Sequence, residues 1–178
     1  MSFFPDPRRI VTGHDDNGNS IILKDSRIPC EMTGMSVPWA VLWETDKFPA
    51  DNNGSDDPTD KQTQSLANKN GVVLRVVDIP PRTNSAFHRT VSLDFGMLFE
   101  GELDCHLDNG VKIHMKPGDV CVQRGTIHGW ENPTDKPARI YFVLVAANPV
   151  EISGKQLSNA GFSDHETVSG GRERTEGD

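Results

Sequence analysis

An all-β fold is expected from this sequence, and three observations predict it. Leu103, Cys105 and Leu107 share one parity while Asp104, His106 and Asp108 share the other, the period of a strand with one buried face. Turn residues punctuate such runs at close spacing, Asp108-Asn109-Gly110 and Pro117-Gly118-Asp119 being the clearest. Asn-Gly between alternating runs is a strong hairpin signal. No helical pattern lies between the runs, so several short strands in succession point to a closed or sandwiched all-β body.

Composition sets the frame. A chain of 178 residues suits one domain that buries a core without staples. Its apolar content of 35% is low for a globular chain, which implies long polar loops and tails around a compact centre. A formal charge of -8 argues against nucleic acid or an anionic membrane as partner, since both call for basic patches. Three cysteines without paired spacing make no disulfide framework. Cys105 and Cys121 fall inside expected strands, where a thiol acts as a small buried apolar group. No apolar run approaches membrane-span length, and a cytoplasmic protein is the simplest expectation.

Taken in order, residues 1–24 read as an arm and a hairpin: Ile10 to Thr12 and Ser20 to Leu23 are β-prone, with Asp15 to Asn19 as turn. Trp39, Val41 and Trp43 alternate with Ala40 and Leu42 on a further strand. Two tryptophans on one face line a ligand pocket or pack as core or dimer interface, and packing is the reading favoured here. Asp46 to Asn70 is rich in Asp, Asn, Gly and Pro and long for an internal loop; it reads as a flap or an insert. Gly71 to Ile79 resumes as a strand with apolar residues on both faces and Arg75 on the Val73/Val77 face. Facing inward, Arg75 offers a planar fork for a substrate carboxylate; facing outward, the commoner arrangement, it lies along the surface.

After Pro80-Pro81, strand alternation groups His88 with Thr90, then Asp94 with Gly96 and Leu98, and later Thr126 with His128 and Trp130. Gly96 is expected to leave room near the mouth of the body. His106 and His114 are expected to face each other across the hairpin on its solvated side. Ala138 to Ala146 is too apolar for a half-exposed strand and reads as the buried strand that closes the body. Residues 1–150 are therefore expected as one domain and 151–178, polar and Gly-rich, as a C-terminal tail.

The stretch from Phe87 to Asn132 resembles the two-motif core of the cupin superfamily, small β-barrels of jelly-roll type. The first family motif runs His-x-His, then Glu, then Gly; His88, Thr90, Asp94 and Gly101 stand at those places. The second runs from a Gly through a Pro-x-Gly turn to His and Asn. Here Gly118 opens it, Gln123-Arg124-Gly125 stands at the turn, and His128 and Asn132 close it. Thr90 replaces the second histidine, Asp94 replaces the glutamate, and the Gly-to-turn spacing is one residue short.

The resemblance implies a divalent metal (Fe, Mn, Zn or Ni) on His88, Asp94 and His128, a two-histidine, one-carboxylate set with open positions. Because Asp is a carbon shorter than Glu, Asp94 is also a candidate general base, with His88 as the other proton carrier. Arg75, Thr90 and Trp130 are the candidate substrate-binding residues. The metal-free alternative makes His88 and His128 hydrogen-bonded core histidines.

The chain resembles stand-alone cupins with HRTxSxD and QRGTxH stretches, some of which accompany secondary-metabolite pathways. That implies a homodimeric enzyme acting on a small oxygenated organic acid, polyketide or aromatic. The expected reaction is non-redox, a dehydratase or decarboxylase of lyase type. The alternatives are a non-haem iron dioxygenase and a non-catalytic ligand-binding barrel.

Overall fold

The computed structural model describes residues 3–32, 37–60 and 66–161. Among these residues, fourteen strands and a single 3₁₀ turn, Pro58–Asp60, make up the regular structure. The strands are β1 Arg8–His14, β2 Ser20–Arg27, β3 Glu31–Met32, β4 Pro38–Glu44, β5 Val72–Ile79, β6 Thr83–Asn84 and β7 Ser92–Glu100, followed by β8 Leu103–Leu107, β9 Lys112–Met115, β10 Val120–Arg124, β11 His128–Asn132, β12 Ala138–Ala146, β13 Val150–Ile152 and β14 Lys155–Leu157. A six-stranded sheet in the order β10-β7-β12-β5-β4-β3 opposes a four-stranded sheet in the order β6-β11-β8-β9. All their pairings are antiparallel. The fold is thus all-β and of jelly-roll type, two facing sheets rather than one sheet hydrogen-bonded into a closed barrel.

The core lies between the sheets. Leu103, Cys105, Met115 and Trp130 from the smaller sheet meet Ile79, Leu98, Ala138 and Ile140 from the larger. The alternation read from the sequence produces this packing. In β8, Leu103 and Cys105 are fully buried, and across the hairpin Leu103 pairs with Met115 and Cys105 with Ile113. In β7, Ser92, Asp94, Gly96 and Leu98 point inward.

Gly96 is tighter than the sequence suggests. A Cβ there would lie 2.9 Å from Cε1 of Phe142, so the ring fills the space that the glycine leaves. Gly96→Ala should therefore cost about 1–3 kcal/mol through overpacking. A lower urea midpoint at unchanged slope is the expected readout.

Strand β5 is apolar on both faces because both are covered. Its inner face carries Val73, Arg75, Val77 and Ile79. Its outer residue Val76 packs with Ala40, Leu42 and Cys30, and with Ile28 beside them. The arm closes over that outer face: Arg139 Nε and Nη2 donate to Asp78 at 2.6 and 2.9 Å, and Nη1 donates to the Pro5 carbonyl at 2.7 Å. Phe4 stacks on the same guanidinium.

The β1–β2 hairpin forms as expected around the Asp15–Gly18 turn. It is tied to the 46–60 loop through Arg9 and Lys24, which both contact the buried Asp57. The far end of that loop also docks, since Leu66 and Ala67 are buried; residues 61–65 lie outside the described residues.

Beyond β12, β13 and β14 form a short hairpin. Arg89 and Ala160 then exchange backbone hydrogen bonds at 2.9 and 3.1 Å. Gly161 passes so close to the site strand that a Cβ would sit 2.1 Å from the Phe87 carbonyl oxygen, at a φ of +83°. The part of the expected tail from 162 to 178 lies outside the described residues. No helix among the described residues is long and apolar enough to cross a membrane.

Candidate functional site

A cavity of about 390 Å³ opens between the two sheets. Its apolar wall is built from Trp39, Val77, Ile79, Trp130, Phe142 and Leu144, and its polar wall from Arg75, His88, Thr90, Asp94, Gln123 and His128. All six residues singled out from the sequence therefore line one space. Arg75 takes the inward orientation: it is 2% exposed, and its guanidinium lies 4.7 Å from the centroid of the Trp39 ring. Burial pulls that guanidinium down to about 10, against the pull of the Asp94 and Glu44 charges. It stays cationic at neutral pH. Trp39 belongs to the cavity wall, which corrects the expectation of simple packing. A bulge between Val41 and Trp43 breaks the parity that would put both tryptophans on one face.

The histidines come together through a β-bridge. His88 and His128 exchange backbone hydrogen bonds at 2.9 and 3.0 Å, which brings their rings edge to face with centroids 4.4 Å apart. Each Nδ1 lies 3.0 Å from a carbonyl oxygen two residues earlier, Ala86 for His88 and Thr126 for His128. A proton on Nδ1 donated to that carbonyl leaves a lone pair on Nε2, the orientation that metal-binding histidines need. Burial lowers both imidazoles, and the neighbouring His88 helps take His128 down to about 4. Both are neutral at pH 7.

Asp94 is 4% exposed. Its Oδ2 accepts from Thr90 Oγ1 at 3.2 Å, and Thr90 Oγ1 accepts from Ser92 at 2.7 Å. Its Oδ1 is buried with no hydrogen-bond partner among the described residues. Burial pushes the carboxyl up to about 6, opposed by the Ser92 and Thr90 hydroxyls and the Arg75 charge. A carboxyl balanced near neutrality serves as acid and as base.

Two neutral imidazoles with Nε2 left as acceptor are a donor set whose chemistry suits a divalent cation. Asp94 does not join them as a compact third ligand, because its donor atoms and theirs do not all fall within 4.8 Å of one another. Among the described residues, Asp104, His106 and Glu131 alone form such a set of three. They lie half-buried on the other face of the small sheet, where Lys112 Nζ sits 2.6 Å from Glu131 Oε2 and 3.7 Å from Asp104 Oδ2. An ammonium thus already balances that acidic pair. His114 stands opposite Asp104 and His106 opposite Lys112, so the two histidines are diagonal rather than facing, two residues out of the expected register.

Gln123 is the site residue that motif reading missed. The motif places it in a turn, but it belongs to β10, paired with Asp94 on β7, and only Gly125, at a φ of +62°, turns the chain. Gln123 shares parity with Cys121, which was expected to be buried, so alternation carried the signal. Asn132, the last motif residue, is structural. Its amide donates to the carbonyls of Ile79 and Lys136 and its oxygen accepts from Thr134, which locks the turn before β12.

A cupin domain model matches residues 75–144. Over 158 residues the chain is 35% identical to the cupin-domain-containing oxidoreductase srdB of Neurospora crassa, covering 85% of this chain and 80% of that protein. It is 38% identical over 160 residues to phomopsin biosynthesis cluster protein C' of Diaporthe leptostromiformis, at 85% and 84% coverage. It is 36% identical over 159 residues to the cupin-domain-containing oxidoreductase fogC of Aspergillus ruber, at 84% and 77% coverage. With a jelly-roll fold, the two cupin motifs lining its cavity and relatives matched along most of their length, this chain belongs to the cupin domain family.

Proposed function

We propose that this protein is an enzyme of secondary metabolism that binds a small oxygenated organic acid, polyketide or aromatic and moves a proton through Asp94, in loss of water or of carboxylate. One observation carries the reading: a carboxyl sealed into the cavity wall, with one oxygen bonded to Thr90 and the other, Oδ1, unengaged by any of the described residues. As carboxylate, Asp94 takes a proton from carbon; as acid, it returns one to carbon or to a departing hydroxyl. Arg75 supplies the fixed positive charge that a carboxylate or enolate oxygen needs. The aromatic and aliphatic wall excludes water and seats a carbocyclic body. A divalent ion of the Fe, Mn, Zn or Ni class, held on Nε2 of His88 and His128, would supply Lewis acidity toward a carbonyl. Membership of biosynthesis clusters in the names of relatives from Diaporthe and Aspergillus oryzae supports the place in secondary metabolism.

A second reading is redox, a non-haem iron dioxygenase. It is favoured by the name oxidoreductase carried by the Neurospora and Aspergillus ruber relatives. Metal exchange separates the two: the lyase keeps turning over with Zn(II) or Ni(II) in place of Fe(II), and the dioxygenase stops. Metal analysis should give about one divalent ion per chain, lost when His88 and His128 are both replaced by alanine. Full metal content in that double variant would contradict the two-imidazole site.

The assembly proposed is a two-fold homodimer. Ile10, Ile21 and Ile22 of the arm and Phe99, Val120 and Val122 on the outer face of the large sheet are exposed, more apolar surface than a lone domain leaves uncovered. Light scattering at micromolar concentration should give twice the chain mass; a clean monomer would count against it.

A further inference from the structure

Among the described residues, Oδ1 of Asp94 and both amide atoms, Oε1 and Nε2, of Gln123 are buried in the cavity wall without a hydrogen-bond partner. The two residues are 4% and 3% exposed, line the same cavity and pair in register on β7 and β10. An unmatched buried polar atom costs about 1–3 kcal/mol, so three together in one wall call for an explanation. The neighbours supply none, because the Thr90 hydroxyl is already spent on Asp94 Oδ2 and itself accepts from Ser92.

We infer that Gln123 and Asp94 together read a hydroxyl set beside a carbonyl on the ligand. The Gln123 Nε2–H donates to the carbonyl oxygen, and the ligand hydroxyl donates to Asp94 Oδ1 or to Gln123 Oε1. Paired residues on neighbouring strands hold their Cβ atoms about 4.5–5.5 Å apart, a spacing that addresses two oxygens of one hydroxy-ketone unit rather than opposite ends of a molecule. The amide brings donors and an acceptor to the same place, so it recognises a mixed donor–acceptor pair better than a lone ketone or ether. Trp39, Trp130 and Phe142 around it suit an aromatic or alicyclic body behind that unit. The inference rests on the enzymatic reading only in taking this cavity as the substrate site. It makes Gln123 a specificity-determining residue.

The test is calorimetric titration at pH 8 with three probes of one shape: 2′-hydroxyacetophenone, acetophenone and 2′-methoxyacetophenone. The hydroxy ketone should bind the wild-type protein at least about tenfold more tightly than either of the others, the worth of one good hydrogen bond. Gln123→Leu should weaken acetophenone several-fold, since the donor to its carbonyl is gone, and the hydroxy ketone by more, since its hydroxyl is then no longer held against Asp94 Oδ1, so that the preference falls below about threefold. Gln123→Glu, which keeps an acceptor but loses both donors, should weaken the hydroxy ketone as much; thermal unfolding checks that each variant folds. If Gln123→Leu does not fold, the wild-type series and Gln123→Glu decide. Equal affinities for the three probes, no binding of the hydroxy ketone at millimolar concentration, or a preference intact in the folded variants would overturn the inference. Its fate is separable from that of the enzymatic reading. Turnover that survives Asp94→Asn removes proton transfer and leaves the binding preference standing, whereas a missing preference beside Asp94-dependent turnover removes this inference alone.

Discussion

Asp94→Asn is expected to cut turnover by about 10²- to 10⁴-fold, the range for removing a positioned acid–base group. The same change should stabilise the fold above neutral pH. The folded carboxyl titrates at about 6, above its ordinary 3.8, so the native state holds its proton more tightly than the unfolded chain does. The stability this brings is complete below about pH 4 and is lost as pH rises through 6. At pH 7.5 the wild-type protein carries a buried carboxylate at a cost on the order of 3 kcal/mol, which the neutral amide avoids. Thr90 still finds an oxygen to donate to in the variant. Denaturant midpoints of the two proteins should diverge between pH 4 and 7 and then run parallel. A difference that does not vary with pH would refute a raised Asp94.

Asp78→Ala should be the most damaging single change to the fold, at about 3–5 kcal/mol, because it leaves a guanidinium buried and unbalanced. Asp78 is fully buried and Arg139 is 5% exposed, and the pair is bidentate. Arg139 also holds Pro5 and lies over Phe4, so the damage should spread to the arm covering the outer face of the large sheet. Adding Arg139→Met should recover part of the loss by replacing the stranded charge with an apolar stem. Thermal unfolding of the two single variants and the double variant tests this. A double variant no better than Asp78→Ala would show that the buried charge is not the source of the damage.

The parts legible in the sequence were those that local periodicity specifies. The β8–β9 hairpin follows from alternation about Asn109-Gly110, and the inward set of β7 follows from parity alone. Arg75 was ambiguous because β5 is apolar on both faces, and only the arm folded over the outer face explains why. Trp39 was misread because a one-residue bulge changes the face of everything beyond it. Gln123 was hidden by its motif position, although its parity with Cys121 marked it as inward. Leu66, an apolar residue closing a polar loop, was a cue to the cavity wall that the loop's composition concealed. The separation of Asp94 from the two imidazoles depends on how the sheets pack, which no spacing along the chain encodes.

Proton transfer to carbon at Asp94 can be read without the natural substrate. Incubated in D₂O under strict exclusion of oxygen, the metal-loaded enzyme should catalyse deuterium uptake at the α-carbon of a hydroxy ketone such as 2′-hydroxyacetophenone, followed by proton NMR. The rate should fall with Asp94→Asn and follow a group titrating near pH 6 in the wild-type protein. Exchange at the same rate in Asp94→Asn, or no exchange without oxygen and product matched to oxygen consumed when it is admitted, would contradict the account.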